Sequence, residues 1–278
     1  AQDRVSVEIM RGCTRGCRFC HAGMVNRPIR ERPIDEILSA LRSGLEQTGY
    51  EELSLLSLSS SDYTDIIPLI EDLRELLIER QVNITLPSLR IESFSDELMD
   101  VLQSLTPGGG FTLAPEAGTE RLRNIINKPL SDEELMETVR SIYRHGWHSI
   151  KLYFMIGRPG ETLEDVAAIA DLSKAVLQIG RQTVGGRARV HLGISTFIPK
   201  PHTPFQWAAF DDLESIQQKL SLLHEGLRGA KIKMTWNDPG ASLLEAWLAR
   251  GDRRIADVIY QAWKNGARFD AWSDQYNI

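Results

Sequence analysis

The chain has 278 residues, of which 42% are hydrophobic and 25% are charged. These values are typical of a globular protein with one barrel-sized domain or two smaller ones. Its 38 acidic residues outnumber the 32 basic residues, and the net charge of −6 gives no strong signal of nucleic-acid binding. The odd number of cysteines excludes a fully paired disulfide framework and favours a reducing, cytoplasmic location. No apolar run reaches the length of a membrane span.

Strands and helices alternate over residues 5–197. Short apolar or alternating runs predict strands at residues 5–10, 53–58, 82–86, 111–113, 150–156 and 189–197. Apolar residues at helical spacing predict helices between them, including one from Pro33 to Gly49, one capped by Asp65 and one opened by the capping box Ser131–Glu134. This alternation implies parallel strands with right-handed crossovers, an arrangement that either a doubly wound open sheet or a barrel satisfies.

From Phe210 we expect the alternation to stop. A helix at residues 213–223, a short strand at 231–236 and helices at 243–248 and 255–263 follow, and the segment contains Trp236, Trp247, Trp263 and Trp272. We therefore predict a domain boundary near residue 207. Residues 208–278 would form a mostly helical subdomain packed over one end of the first domain.

All three cysteines lie together, in the sequence Cys13-Thr-Arg-Gly-Cys17-Arg-Phe-Cys20 directly after the first predicted strand. Thiolates are the soft ligands of iron–sulfur clusters, and a four-iron cluster ordinarily takes four of them. Three leave one iron open to another ligand. Two alternatives remain: buried structural thiols, and a zinc site completed by a histidine, although His21 is too close to Cys20 in sequence to close such a site easily.

The C-x-x-x-C-x-aromatic-C pattern, with Phe19 as its aromatic residue, resembles the cluster loop of the radical S-adenosylmethionine (SAM) superfamily. Later motifs of that superfamily are similar to residues 114–123 (APEAGTERLR), 154–162 (FMIGRPGET) and 196–207 (TFIPKPHTPFQW). The motifs are most similar to a group usually fused behind a cobalamin-binding domain, related to the methylthiotransferases and the elongator radical enzymes. The resemblance implies an α/β fold in which residues 1–207 form an incomplete (βα)6 TIM-like barrel.

The same resemblance implies the cofactors and their chemistry. Cys13, Cys17 and Cys20 would hold a [4Fe–4S] cluster, and SAM would bind to its open iron. One electron from the reduced cluster, delivered by a partner such as flavodoxin or ferredoxin, would cleave SAM to methionine and a 5′-deoxyadenosyl radical that attacks the substrate. The substrate itself, whether small molecule or macromolecule, is not indicated.

The residues that would contact SAM follow the predicted strands, where α/β barrels gather their sites. The resemblance places Asp62, with Ser60 as a weaker candidate, at the SAM amino group, and Glu116 at its ribose or amino acid moiety. It places Ile156 and Gly157 on the adenine and Thr196 at the substrate end. The candidates for the SAM carboxylate are the helix start at Gly118 and Thr119, and the basic residues Arg123 and Lys128. Polar turns and solvated surface charges are the simpler alternatives for these residues.

Three functions compete at this stage. The first is a radical SAM enzyme, for which the resemblance to the cobalamin-associated group implies a cobalamin-binding domain upstream of Ala1. The chain lacks an initiator Met and begins almost at its first strand, so we expect it to be a fragment of a longer protein. The second is a methylthiotransferase-like enzyme that modifies tRNA or a ribosomal component. The third is a non-catalytic iron–sulfur electron carrier, against which the SAM-type segments weigh because a bare carrier does not need them.

Overall fold

The computed structural model of the protein describes residues 3–85, 91, 96–105 and 110–267. Leu86 of the third predicted strand, Trp272 and the end of the predicted C-terminal subdomain lie outside these residues.

The described residues contain two parallel sheets and one small antiparallel ribbon. The strands are β1 (Val5–Glu8), β2 (Met10–Arg11), β3 (Arg30–Glu31), β4 (Glu52–Leu56), β5 (Asn83–Thr85), β6 (Gly110–Glu116), β7 (Ser149–Ile156), β8 (Arg189–Thr196) and β9 (Ile232–Trp236). The first sheet has the order β1-β4-β5 and the second has the order β6-β7-β8-β9, all pairs being parallel. β2 and β3 pair antiparallel.

Helices connect the parallel strands. They are α1 (His21–Val25), α2 (Ile34–Thr48), α3 (Ile66–Arg80), α4 (Asp96–Leu105), α5 (Glu120–Ile125), α6 (Asp132–Arg144), α7 (Leu163–Val184), α8 (Leu213–Gly226), α9 (Pro239–Arg250) and α10 (Ile255–Lys264). The capping box at Ser131 is present, and a second one joins Thr162 to Asp165. Asp65 precedes α3 as expected, but its carboxylate makes no capping hydrogen bond.

The predicted parallel α/β architecture is confirmed, with one correction beyond Phe210. The alternation does not stop there, because α8 leads into β9, which pairs in parallel with β8 from Val190 opposite Ile232 to Ile194 opposite Trp236. β9 is an outer strand with mostly exposed side chains, so its sequence has a weak apolar pattern. The boundary near residue 207 stays a prediction, and the second sheet extends past it.

The core holds the strand ends in register. In β7 the side chains of Ile150, Leu152, Phe154 and Ile156 are essentially inaccessible to solvent and belong to one hydrophobic cluster with the inner face of α7. Ile156 pairs with Thr196 at the carboxyl ends of β7 and β8. Because all strands of both sheets are parallel within their sheet, the loops after them gather along one edge, where α/β folds place their ligands.

Close packing of α6 against α7 gives a test of the fold. A Cβ atom on Gly180 would lie 2.5 Å from Cζ of the buried Tyr143 ring and 2.9 Å from Cβ of Ala188. We expect Gly180→Ala to lower the free energy of unfolding by about 1–3 kcal/mol, because overpacking outweighs the gain in helix propensity. Gly186→Ala, with nothing within 4 Å of its Cβ, is the control and should change stability by less than about 0.5 kcal/mol. Chemical denaturation measures both, and equal stabilities would contradict this packing.

Candidate functional site

A cavity of about 250 Å³ brings the three cysteines together at the carboxyl edge of the strands. Its walls come from the loop after β2, from the segments after β4 and β5, from β6, and from the turn after α5. The lining residues are Cys13, Gly16, Cys17, Phe19, Cys20, Gly23, Leu58, Ile91, Ala114, Glu116 and Lys128. Six of the predicted site residues therefore share one cavity: Cys13, Cys17, Phe19, Cys20, Glu116 and Lys128.

The cysteine loop, residues 12–29, is closed at its base by the ribbon of β2 and β3. Met10 pairs with Glu31, and Arg11 pairs with Arg30. Gly12 begins the loop with a φ of +94°, and a Cβ there would lie 2.7 Å from the carbonyl oxygen of Pro28. Only glycine fits this close approach in the left-handed region. The ribbon makes residues 12–29 a closed loop with both ends fixed.

Backbone hydrogen bonds fix the same loop along its length. The N–H of Arg18 donates to the carbonyl of Ile126 at 2.9 Å, and the carbonyl of Arg18 accepts from the N–H of Phe205 at 3.2 Å. The turn after α5 and the loop after β8 thus hold the centre of the cysteine loop from two sides. Sequence spacing alone gave no sign of these contacts.

None of the three cysteines is in a disulfide, so all three thiols are chemically suited to a cluster. Cys13 is buried, and Cys17 and Cys20 are half-buried. Cys20 also caps α1, its Sγ accepting from the N–H of Gly23 at 3.3 Å. Among the residues that the structure describes, no three or more His, Cys, Asp or Glu side chains are arranged to hold one metal ion. Three thiols that line one cavity supply the soft ligands that an iron–sulfur cluster takes.

Glu116 and Lys128 form an ion pair in the wall of this cavity. Their charged atoms are 3.3 Å apart, and both side chains are largely buried, with 16% and 12% exposed respectively. Lys128 Nζ also donates to the carbonyl of Ala114. Glu116 has a φ of +69° and follows a break in the register between β6 and β7. A non-glycine residue held in this region carries strain, which is often found at functional sites.

Asp62 and Ser60 do not line the cavity. The carboxylate of Asp62 accepts from Arg15 Nη2 at 2.5 Å, from Arg15 Nε at 3.0 Å and from the Ser59 hydroxyl at 2.7 Å. Ser60 is buried, with its hydroxyl 2.9 Å from that of Ser57. Because Arg15 belongs to the cysteine loop, Asp62 joins that loop to the turn after β4.

Gly118 and Thr119 lie against α7, outside the cavity lining. A Cβ on Gly118 would be 2.5 Å from the carbonyl oxygen of Asp165 and 2.6 Å from the nitrogen of Ile169, so the glycine permits backbone contact. Thr119 caps α5 and donates to the Asp165 carboxylate. Burial alone would raise the pKa of Asp165, but hydrogen bonds from Thr119, Thr162 and Arg121 outweigh burial and hold this pKa below its ordinary value.

Arg123 is fully buried and holds its own segment together. Its Nε donates to the carbonyl of Leu130 at 2.7 Å and its Nη1 to that of Ala117 at 3.3 Å, while Nη2 pairs with Asp132. These contacts fix the start of α6 beside the end of β6. The structure therefore gives Arg123 a supporting position, whereas Lys128, five residues further along, reaches the cavity.

Ile156, Gly157 and Thr196 end the two central strands of the second sheet, outside the cavity lining. The carbonyl of Ile156 accepts from the N–H of Phe197 at 2.8 Å, and Thr196 is buried beside it. Gly157 has a φ of +84°, and its N–H donates to Glu161 Oε1 at 2.7 Å. These residues form the edge next to Glu116 on the same sheet.

A buried ionic network behind Gly157 was missed from the sequence. Lys219 of α8 lies 3.0 Å from Glu161 and 2.6 Å from Asp211, and Arg158 lies 3.4 Å from Glu161. Burial alone would lower the pKa of Lys219, but Asp211 and Glu161 outweigh burial and raise it. Arg158 and Glu161 belong to the motif at residues 154–162, which the sequence indicated only as a turn. The structure shows that Lys219 of α8 pairs with Glu161.

An α/β fold with three cysteines around one cavity at its strand ends is typical of a cluster-binding enzyme domain of the barrel type. Residues 7–173, more than half of the chain, match the family described as the radical SAM superfamily. The chain belongs to the radical SAM superfamily, and it is an enzyme whose cofactors are a [4Fe–4S] cluster and SAM. The resemblance inferred from the cysteine loop is confirmed.

Relatives of the chain include the protein MJ0966 of Methanocaldococcus jannaschii, 32% identical over 253 residues, which cover 91% of this chain and 53% of that protein. The tRNA-2-methylthio-N(6)-dimethylallyladenosine synthase of Desulforamulus reducens is 29% identical over 182 residues, which cover 61% of this chain and 39% of that enzyme. The chain thus spans about half or less of these relatives' length.

A solved structure confirms the fold class. The radical SAM methyltransferase TsrM from Kitasatospora setae, with cobalamin and a [4Fe–4S] cluster bound, matches with a TM-score of 0.58 at 17% identity. The match covers 72% of this chain and 35% of TsrM. Within the described part of this chain, no helix has the length and apolar character to cross a membrane.

The hydrogen bonds from Thr119 and its neighbours to Asp165 predict that the stability of the fold depends on pH. Since the folded pKa of Asp165 is below its ordinary value, the ionised carboxylate stabilises the fold above about pH 4, and this contribution is lost as the pH falls through the folded pKa. We expect Asp165→Asn to cost about 1–3 kcal/mol at pH 7 and less at pH 3, where this carboxylate is largely protonated in the unfolded chain. Asp171→Asn, at an exposed position of the same helix, should change stability little at either pH. A cost for Asp165→Asn that does not depend on pH, measured by urea denaturation, would contradict this role.

Proposed function

We propose that this chain is the catalytic part of an enzyme that holds a [4Fe–4S] cluster through Cys13, Cys17 and Cys20 and binds SAM at the remaining iron. The observation that carries the proposal is the shared cavity: the chain's three thiols and the Glu116–Lys128 ion pair line the same space. A reduced cluster, when bound, supplies the electron that cleaves SAM to methionine and a 5′-deoxyadenosyl radical, which then removes hydrogen from the substrate.

The Glu116–Lys128 pair is complementary to the amino acid end of SAM, which carries an ammonium and a carboxylate. Glu116 can accept from the ammonium, and Lys128 can donate to the carboxylate. Both contacts are charge-assisted hydrogen bonds inside a largely buried wall, where such bonds are strongest. Exchanging one internal ion pair for two with SAM leaves no buried charge without a partner, which lowers the cost of binding.

Apolar side chains form the rest of the cavity wall. Phe19, Leu58 and Ile91 line the cavity and would exclude water from the bound groups, which is the protein's part in cofactor chemistry. We propose that adenine extends along the neighbouring edge at Ile156 and Gly157, where glycine lets the ring approach the backbone, and that Thr196 faces the substrate.

The remaining predicted contacts take supporting roles in this proposal. Asp62 steadies the cysteine loop through Arg15, and Ser60 packs under that contact. Gly118 and Thr119 hold the end of β6 against α7. Arg123 fixes the turn that presents Lys128.

For the whole protein we propose a cytoplasmic enzyme with a cobalamin domain outside these 278 residues and a reductant such as flavodoxin or ferredoxin. The support for cobalamin is the match to TsrM, which binds it. A second candidate is a methylthiotransferase-like activity on tRNA, supported by the 29% identity to the Desulforamulus reducens enzyme. Adding free cobalamin, or a tRNA fraction, to the reduced full-length protein and following methyl or methylthio transfer from labelled SAM distinguishes the two.

Removal of one thiol tests the cluster assignment. Anaerobically reconstituted protein should hold about four irons per chain and, after reduction, convert SAM to 5′-deoxyadenosine and methionine. Cys17→Ala should lose most of the iron and all of the nucleoside product. Thr14→Ala is the matched control, because Thr14 is exposed in the same loop and does not line the cavity.

Two outcomes count against the assignment. One is a Cys17→Ala variant that keeps four irons and its activity. The other is wild-type protein that binds one zinc per chain and no sulfide.

Replacement of the ion pair tests the SAM contacts. We expect Glu116→Gln and Lys128→Met each to weaken SAM binding about tenfold or more, since a hydrogen bond to a charged group is worth about 1.5–3 kcal/mol. Cluster content should be unchanged, because neither side chain is a thiolate. Anaerobic calorimetry measures the affinities, with Asp62→Asn as the comparison. A larger loss for Asp62→Asn than for Glu116→Gln would return the amino-group contact to Asp62.

A further inference from the structure

The side chain of Asn127 reaches the cysteine loop from outside the cavity. Its Nδ2 lies 3.0 Å from the carbonyl oxygen of Gly16 and 3.3 Å from that of Arg15, both within the Cys13–Cys17 spacing. Two carbonyl acceptors identify the facing atom as the amide nitrogen, because the amide oxygen has no proton to donate. Asn127 is exposed and does not line the cavity, whereas Gly16 and Cys17 do.

The backbone on both sides is built for this approach. Asn127 has a φ of +57°, a left-handed conformation in which Asn is enriched several-fold over other non-glycine residues. Gly16 has a φ of +71°, and a Cβ there would lie only 3.3 Å from Asn127 Nδ2. Both residues therefore suit the contact through their own conformational preferences.

The contact fixes the direction of two peptide groups. In a planar trans peptide the C=O and the N–H point in opposite directions. The carbonyl of Arg15 shares a peptide with the N–H of Gly16, and the carbonyl of Gly16 shares one with the N–H of Cys17. Because both carbonyls face Asn127, the N–H groups of Gly16 and Cys17 point away from Asn127, and both residues line the cavity.

We propose that Asn127 is a positioning residue that aims the N–H groups of Gly16 and Cys17 at the bound cluster and so raises its reduction potential. The inference rests on the proposed function. Hydrogen bonds and dipoles directed at cluster sulfurs favour the more negative, reduced state. The N–H of Gly23, which already donates to Cys20 Sγ at 3.3 Å, is the same kind of contact.

Three variants separate the effect of the amide donor from the effects of added charge and of a changed backbone. Asn127→Gly keeps a backbone that accepts positive φ and removes the donor. Asn127→Asp keeps the shape and replaces the donor with a carboxylate that repels both carbonyls. Asn124→Asp adds the same charge on the exposed side of the adjacent helix α5 and serves as the control.

The measurement is a redox titration of the reconstituted protein, followed by electron paramagnetic resonance, together with iron content and thermal unfolding. We expect both Asn127 variants to disfavour reduction about tenfold, which is a potential about 59 mV more negative for a one-electron couple. The spectral line shape should also change, while iron content and thermal midpoint stay near wild type. Asn124→Asp should match wild type in every reading.

Wild-type potentials in both Asn127 variants would overturn the inference and leave the proposed function standing. A shift that is equal in Asn127→Asp and Asn124→Asp but absent in Asn127→Gly would also overturn it, because charge alone would then account for the effect. Wild-type protein that assembles no four-iron cluster would instead refute the proposed function.

Discussion

The thiols of Cys13, Cys17 and Cys20 can share one cavity only because the loop that carries them is fixed at its ends and along its length. The β2–β3 ribbon closes its base, and hydrogen bonds with residues 126, 127 and 205 hold its centre. A free loop of this length would lose considerable conformational entropy on binding a cluster. Because the cysteine loop is anchored to the barrel, it loses this entropy when the protein folds, and little more is lost when the cofactor binds.

The rest of the site is built on strand ends that a large apolar core keeps in register. The four-stranded sheet presents Glu116, Gly157 and Thr196 along one edge, and helices α7 and α8 support that edge from behind. Strain at Glu116 is tolerated because β6 is buried and paired. Predicted site residues that lie outside the cavity have other hydrogen-bond partners. Arg123, for example, donates to the carbonyls of Ala117 and Leu130.

Local sequence predicts the elements and the metal-binding loop because both depend on neighbouring residues. Apolar spacing identified the six parallel strands of the first 200 or so residues, but not the short strand β3. The Ser131 capping box is present, and the cysteine spacing led to the family. Contacts between residues far apart in the chain could not be predicted from the sequence. Asp62 pairs with Arg15, 47 residues away, and Lys219 reaches Glu161 because α8 packs against α7. The strand β9 was predicted, but its parallel pairing with β8 was not, because an outer strand needs few buried side chains.

With three thiolate ligands, one iron of the cluster would be open to the amino acid end of SAM. Electron–nuclear double resonance can detect this contact in the reduced protein with SAM labelled with ¹⁵N at its amino group and ¹⁷O at its carboxylate. We expect hyperfine coupling of both labels to the cluster, and loss of both couplings in Lys128→Met at SAM concentrations that saturate wild type. An absence of coupling at saturating SAM would show that SAM does not bind the open iron.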